Sequence, residues 1–209
     1  MTSQQENIQK NIDEIRGYLV QSSETKRRAS EECAESIALG ATMIADTFKA
    51  GSKLLLCGNG GSAADCQHMA TEFVSRLTAG FKRPGLPAIA MTTDTSFLTA
   101  YANDTGFEGI FMRQVEALGK PGDLLIGIST SGNSINVIKA VEAARSMGIK
   151  SLVLTGQSGK LKDMADAAIA VPSDDTQHIQ ESHLAIEHIL CHLAERQVFA
   201  INQPEKSAL

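Results

Sequence analysis

Residues 54–62 read LLLCGNGGS, and residues 124–134 read LLIGISTSGNS. In both stretches a run of apolar residues, which predicts a buried strand, leads into a turn of small residues where a helix is expected to begin. The free backbone amides at a helix start, together with the positive end of the helix dipole, favour a bound anion such as phosphate. Two such turns at one end of a parallel sheet therefore indicate a site for a phosphorylated small molecule.

Strands and helices alternate along the rest of the chain. We predict strands at 53–57, 88–91, 124–128, 150–154 and 167–171. We predict helices at 5–20, 24–50, 62–78, 95–118 with a break near 103–106, 134–147, 160–165 and 176–200. Alternation of this kind produces right-handed crossovers and a parallel sheet, and short, continuously apolar strands are typical of a sheet covered on both faces.

The expected fold class is α/β, with one five-stranded parallel sheet flanked by helices. A chain of 209 residues is long enough for one such domain and short for two. We therefore divide it into an N-terminal helical segment at 1–50, an α/β domain at 51–203 that forms one structural unit with that segment, and a tail at 204–209. The N-terminal helices are expected to cap the sheet or to form an oligomer interface.

The composition argues against several classes of protein. A formal net charge of −5 offers no long basic stripe for nucleic acid. No apolar run approaches the length of about 20 residues that crosses a bilayer, and the polar N-terminus does not predict a signal peptide. No two of the four cysteines form a C-x-x-C pair, so we expect buried, reduced thiols and a cytoplasmic protein.

The two turns differ in how specific they are. The first, GNGGS at 58–62, is not a Walker loop, and it fails the dinucleotide fingerprint because Ala63 occupies the last glycine position. A plain loop with Ser62 as a helix cap explains it equally well. The second turn is more specific, because a loop that needs only flexibility has no need of four hydroxyl groups: Ser129, Thr130, Ser131 and Ser134. Helix capping by residues of this turn is the alternative.

A second chemical signal lies on two predicted helices. His68 and Glu72 are four residues apart, which places them on one helix face, and Gln180 and His188 can share a broad face of the last helix. Two imidazoles, a carboxylate and an amide would suit a divalent metal such as Zn²⁺, whereas Glu72 and His188 alone would suit a base and an acid. For an isolated H-x-x-x-E pair a surface hydrogen bond is the simpler explanation, and the spacing does not choose among the histidines of the last helix.

Together these motifs resemble the sugar isomerase (SIS) family and, within it, the phosphoheptose isomerases. The resemblance covers nearly the whole chain. It rests on the turns at 58–62 and 129–134, on HMATE at 68–72, on the pair Asn103-Asp104 and on QESHLAIEH at 180–188. It implies a five-stranded parallel sheet between helices, in a homotetramer whose active sites lie between subunits.

The resemblance also implies a reaction and its residues. The substrate would be sedoheptulose 7-phosphate and the product D-glycero-D-manno-heptose 7-phosphate, with Glu72 as base at carbon and His188 serving the oxygens. One Zn²⁺ per subunit would be held by His68, Glu72, Gln180 and His188. The phosphate would be held by Ser129, Thr130, Ser131 and Ser134. The remaining substrate contacts would come from Asn59, Gly60, Gly61, Glu72, Asn103, Asp104 and Gln180.

Two alternatives stay open. Some SIS proteins bind sugar phosphates without turnover. One relative, a tetrameric partner of the bacterial replication initiator, lacks the catalytic Glu and His. Because this chain has Glu72 and His188, an isomerase is favoured. Another sugar phosphate could be the substrate, since residues 69–71 and 173–178 depart from the family pattern. Glu72 also cannot easily be both a tight metal ligand and a free base, and the sequence leaves that question open.

Overall fold

A computed structural model describes residues 3–199 and contains one parallel sheet. Its strands are β1 (Leu54–Gly58), β2 (Ala88–Ala90), β3 (Leu124–Ser129), β4 (Lys150–Gly156) and β5 (Ala167–Val171). They lie in the order β2-β1-β3-β4-β5, and every neighbouring pair is parallel. The prediction of a five-stranded parallel sheet flanked by helices is confirmed.

Eight α-helices accompany the sheet between residues 3 and 199. They are α1 (Ser3–Glu32), α2 (Ala34–Lys49), α3 (Gly61–Val74), α4 (Thr95–Asp104), α5 (Ile110–Leu118), α6 (Ile135–Ser146), α7 (Leu161–Met164) and α8 (Thr176–Val198). A 3-10 turn at Phe107–Gly109 joins α4 to α5. None of the helices in this part of the chain has the length and apolar character needed to cross a membrane.

The sheet separates two apolar layers because neighbouring residues of a strand point to opposite faces. Leu54 and Leu56 lie in one layer with residues of α2, α3 and α8, whereas Leu55 and Cys57 lie in the other with residues of α5 and α6. The C-terminal end of α1 and much of α2 contribute to the first layer, so the N-terminal helices share its core. Strands β1 and β3 are buried along their whole length, as expected of a sheet covered on both faces.

The N-terminal helices break at a different place from the one predicted. We predicted a break at 21–23, but α1 continues to Glu32 and the interruption falls at Cys33. The hydroxyl of Ser22 donates to the carboxylate of Glu181 on α8, and two further side chains of α1 bind the same carboxylate. Serine weakens a helix when its side chain competes for the backbone. Here a tertiary contact takes that side chain, and α1 stays continuous.

Helix α3 is shorter than predicted. It ends at Val74 rather than at 78. The guanidinium of Arg83 donates to the carbonyl oxygens of Glu72 and Phe73, at 2.7 Å in both cases, and a backbone amide of the following loop also donates to Phe73. These bonds satisfy the last carbonyls in place of another helical turn. The other predicted boundaries agree with the structure to within two residues, and the predicted tail at 204–209 lies outside the described residues.

Candidate active site

Both small-residue turns lie at the same edge of the sheet. Strands β1 and β3 are neighbours and parallel, so the turns that follow Gly58 and Ser129 leave the sheet side by side. From β1 the chain continues to β2 on one side, and from β3 it continues to β4 on the other. The crevice at such a reversal of strand order is where open α/β sheets bind their ligands.

The first turn needs glycine for its geometry. A Cβ on Gly58 would lie 2.8 Å from the backbone oxygen of Ser62, and Gly60 has a φ of 56° where the chain enters α3. The side-chain amide of Asn59 exchanges two hydrogen bonds of 2.9 Å with that of Asn136 on α6. This amide pair ties the first turn to the helix that follows the second turn.

The second turn gathers hydroxyl groups. Ser129 Oγ lies 2.9 Å from Ser134 Oγ and 3.4 Å from Ser131 Oγ; Ser129 is buried, whereas Thr130 and Ser131 are more open to solvent. Although Ser134 is the N-cap of α6, its side chain makes no capping bond. Gly132 has a φ of 62° and lies so close to the loop after β4 that a Cβ would be 2.6 Å from a backbone oxygen. The turn thus presents hydroxyls next to helix-start amides, a set of donors that suits phosphate.

Three side chains from two helices converge on one point. His68 and Glu72 of α3 meet His188 of α8: His68 Nε2 lies 2.8 Å from His188 Nε2 and 3.6 Å from Glu72 Oε1. One potential ligand atom from each residue lies within 4.8 Å of the others, and none of the three side chains is fully buried. Ligand atoms around a tetrahedral zinc ion lie about 3.3 Å apart, given bonds of about 2.0–2.1 Å. The cluster therefore fits a divalent metal in donor type and spacing.

Gln180, the fourth predicted ligand, lies on the same helix as His188 and faces α3. Its Nε2 lies 2.7 and 2.9 Å from the two carboxylate oxygens of Asp65. Its side chain also lies against Gly61, where an added Cβ would come within 3.5 Å of it. Burial raises the pKa of Asp65, while the hydrogen bond from Gln180 and the charge of His68 act in the opposite sense.

Three other ionisable residues of α8, His183, Glu187 and His192, do not belong to this cluster. His183 is fully buried with Nε2 3.1 Å from the carbonyl oxygen of Thr155, and burial lowers its pKa to about 4. Glu187 is also fully buried, and burial raises its pKa to about 9. Both side chains are therefore neutral near pH 7. His192 is exposed, and of the candidate histidines on α8 only His188, among the residues described, meets His68.

Asn103 and Asp104 are at the exposed C-terminal end of α4. Asn103 Nδ2 donates to Asp104 Oδ1 at 2.8 Å. Within the described chain no hydrogen bond joins them to the other predicted site residues, and α4 has no fully buried residue. The structure therefore brings together the first turn, the hydroxyl turn and the two-helix cluster, but it does not attach this pair to them.

Three residues that shape the site were missed by the sequence analysis: Asp65, Arg83 and Asn136. Asp65 precedes His68 by three residues and Glu72 by seven, so helical periodicity alone would have placed it on their face. The other two carried no sequence signal. Arg83 binds backbone carbonyls, and Asn136 binds a side chain 77 residues away.

Comparison with known proteins agrees with this geometry. The family model described as SIS domain matches residues 17–156. The phosphoheptose isomerase of Roseiflexus sp. (strain RS-1) is 53% identical over 189 residues, which cover 90% of this chain and 93% of that protein. At this identity and coverage, the two chains belong to one family.

Solved structures give the same result. The phosphoheptose isomerase from Neisseria gonorrhoeae superposes with a TM-score of 0.82 at 41% identity, covering 88% of this chain and 97% of that one. The phosphoheptose isomerase from Francisella tularensis superposes with a TM-score of 0.85 at 37% identity, covering 89% and 98%. The predicted resemblance is confirmed: this chain belongs to the SIS domain family and, within it, to the phosphoheptose isomerases.

Proposed function

We propose that this chain converts sedoheptulose 7-phosphate to D-glycero-D-manno-heptose 7-phosphate, the first step toward a nucleotide-activated heptose. Relatives that are 53% and 50% identical carry the name phosphoheptose isomerase. The proposal depends on the contact between Glu72 and His188. These residues are 116 positions apart in the sequence and lie on separate helices, yet they have side-chain atoms within 4.8 Å of each other. A carboxylate and an imidazole at this separation can act on one open-chain sugar.

The hydroxyl turn binds the phosphate in this proposal. The hydroxyl of Ser129 lies 3.4 Å from that of Ser131 and 2.9 Å from that of Ser134, the N-cap of α6. They bind the end of the sugar that does not react. Binding energy gained there orients the reacting carbons near Glu72 and His188.

The reaction moves a proton between C1 and C2 through an enediolate. Glu72 removes the proton from carbon and returns it to the neighbouring carbon, while His188 transfers protons at the two oxygens. The side chain of Glu72 is 16% exposed, which leaves its carboxylate partly accessible to a substrate. His188 is exposed and its Nε2 faces His68 at 2.8 Å, which orients the imidazole.

We propose one Zn²⁺ per subunit, held by His68, Glu72, Gln180 and His188. The fit of the three clustered side chains to zinc in donor type and spacing supports this assignment. A bound metal would supply charge stabilisation for the oxygens that become negative. Glu72 would then be both a zinc ligand and the base at carbon, and the substitution described below separates these two roles.

A non-catalytic role in binding sugar phosphates is not favoured. The relatives cited above are named as phosphoheptose isomerases, and their similarity to this chain covers 87–98% of their length. This chain also has both members of the acid–base pair at one point. A binding module has no need of that pair.

The substitution Glu72→Gln tests the proposal. It keeps the size and metal-binding oxygen of the side chain but removes its basicity, so sugar-phosphate binding is expected to persist while turnover falls by at least about 100-fold. Product formation is followed by NMR, and zinc content by atomic absorption. Loss of turnover with zinc retained identifies Glu72 as the base, and loss of both identifies it mainly as a ligand. The exposed substitution Glu142→Gln is the control, and near-normal turnover by Glu72→Gln refutes the assignment.

We also propose that the enzyme is a homotetramer with active sites between subunits. Ile8, Ile15 and Leu19 are exposed on one face of α1, which supports packing against another copy. Asn103 and Asp104, exposed on α4, would then contact a substrate across a subunit interface. A cytoplasmic location is supported by the four cysteines of the chain, which are all free and buried.

A further inference from the structure

The side-chain amide of Gln180 donates its hydrogen bonds to one partner, the carboxylate of Asp65. Its Nε2 lies 2.7 and 2.9 Å from the two oxygens of Asp65, a residue that is only 4% exposed. Asp65 lies on α3 and Gln180 on α8, so this contact spans the same pair of helices as the contact between His68 and His188. Among the described residues, this contact and the histidine pair provide the side-chain hydrogen bonds between α3 and α8.

The chemistry of this contact decides which amide atom remains available. A glutamine side chain can turn either its oxygen or its nitrogen toward a neighbour, and only the oxygen is a metal ligand. A carboxylate only accepts hydrogen bonds, so it selects the nitrogen of Gln180 and leaves Oε1 free for another partner. On α3, Asp65, His68 and Glu72 share one face at the spacing i, i+3, i+7.

We infer that Asp65 is a positioning residue that orients the Gln180 amide so that its oxygen is presented to the metal site. Asp65 does not act as a ligand in this scheme: both of its oxygens are engaged by Gln180, and the three-residue cluster of potential ligand atoms does not include it. The inference rests on the proposed function, because it requires Gln180 to belong to the zinc site. It adds a residue outside the predicted ligand set that controls the affinity of the site.

The substitution Asp65→Asn tests this orientation with little change in volume. An asparagine presents both a donor and an acceptor to Gln180, so it no longer selects the nitrogen of that amide, and the amide can turn its nitrogen toward the metal. We expect zinc affinity, measured by competition with a chromophoric chelator, to fall about 10–100-fold, the usual effect of losing a partner that orients a ligand. The same substitution made in a Gln180→Ala background is expected to change zinc affinity no further, because the residue through which Asp65 acts is then absent.

Exchanging the two side chains provides a second test. In the double variant Asp65→Asn with Gln180→Glu, the amide of residue 65 donates and the carboxylate of residue 180 accepts, so an oxygen again faces the site. Zinc affinity is expected to recover at least tenfold relative to Asp65→Asn alone. If Asp65→Asn does not fold, the exchanged pair is compared with Gln180→Ala instead, and affinity no better than that of Gln180→Ala overturns the inference.

The outcomes separate this inference from the proposed function. If Gln180→Ala binds zinc as tightly as the unaltered protein, Gln180 is not a ligand and the proposed zinc site itself is wrong. If Gln180→Ala weakens zinc binding but Asp65→Asn does not, only the role of Asp65 is wrong. A loss caused by Asp65→Asn that is equally large in the Gln180→Ala background also overturns it. The matched control is Asp166→Asn, whose carboxylate binds Ser151 at the opposite end of the sheet and should leave zinc affinity unchanged.

Discussion

Removing the guanidinium of Arg83 is expected to destabilise this protein strongly, although the residue lies in a loop. Arg83 belongs to the loop between α3 and β2, but its side chain is 1% exposed. Its Nε lies 2.6 Å from Glu195 on α8, whose side chain is 8% exposed. Its other nitrogens donate to the carbonyl oxygens of Glu72, Phe73 and Pro84 at 2.7, 2.7 and 3.0 Å.

The magnitude follows from what the substitution Arg83→Met leaves behind. Glu195 loses its partner while remaining buried, and breaking one side of a buried ion pair costs about 3–5 kcal/mol. For a domain of this size about 1 kcal/mol corresponds to a shift of about 2–4 °C in Tm, so we expect Tm to fall by about 6–20 °C. A second substitution, Glu195→Leu, removes the uncompensated charge and is expected to restore part of the loss.

The assay is thermal and urea unfolding followed by circular dichroism, with all variants at one protein concentration because assembly contributes to stability. The control is Arg27→Met, which removes an arginine from exposed ion pairs with Glu24 and Glu31 and should cost no more than about 1 kcal/mol. Equal losses for Arg83→Met and Arg27→Met would refute the reasoning. So would a double variant less stable than Arg83→Met alone.

Three further predictions concern the buried histidine and the hydroxyl turn. Burial lowers the pKa of His183 from 6.5 to about 4, so between these values the unfolded chain binds more protons at this residue, and the contribution of His183 to the free energy of unfolding decreases as the pH falls from 6.5 toward 4, by about 3 kcal/mol. Burial raises the pKa of Glu187 from 4.5 to about 9, so in the same window this carboxyl acts in the opposite sense and increases the free energy of unfolding as the pH falls. His183→Gln should therefore make the free energy of unfolding, measured with urea, rise more steeply from pH 6.5 to 4.5 than in the unaltered protein, and an unchanged profile contradicts the prediction. Ser131→Ala should raise the KM for the sugar phosphate about tenfold through one lost phosphate contact while kcat is kept, whereas a selective fall in kcat would assign Ser131 another role. Gly132 has a φ of 62°, so Gly132→Ala should cost at least about 1–2 kcal/mol in stability and weaken phosphate binding. The control is Gly80→Ala, whose added Cβ has no atom within 4 Å and which should change neither stability nor phosphate binding.

The fold was predictable because its signals are local. Apolar runs such as 54–57 and 124–128 end in small-residue turns, and strand–helix alternation dictates parallel pairing. The two boundaries that were wrong depend on contacts distant in sequence. Helix α1 passes through 21–23 because Glu181 takes the hydroxyl of Ser22, and α3 stops early because Arg83 caps it. Neither partner is visible in a window of neighbouring residues.

The site was predictable in its residue types and less so in its connections. The i, i+4 spacing of His68 and Glu72 placed them on one face, and the hydroxyls of the second turn were evident from composition. The spacing could not choose among the histidines of α8. That choice depends on burial: His183 is buried with its Nε2 at the carbonyl of Thr155 on β4, whereas His188 is exposed and meets His68.

The contacts between α3 and α8 show why the rest could not be predicted. Asp65 meets Gln180 at a separation of 115 residues, His68 meets His188 at 120, and Arg83, which caps α3, meets Glu195 at 112. The contacts advance in the same order along the two helices, so α3 and α8 run in the same general direction. Because each residue turns a helix by about 100°, a slip of one position would carry His188 and Gln180 off the shared face together.

The packing of α3 against α8 depends on the whole intervening chain. Helix α3 follows β1 and α8 follows β5, and β3 and β4 lie between these two strands in the sheet. The proposed acid–base pair and the proposed ligand set therefore both depend on one packing arrangement of α3 and α8. Arg83 and Glu195 hold it at one end and Asp65 and Gln180 at the other. If this is correct, Arg83→Met should lower kcat and zinc affinity together even at temperatures where the protein remains folded, whereas a purely global loss of stability would leave both unchanged well below Tm.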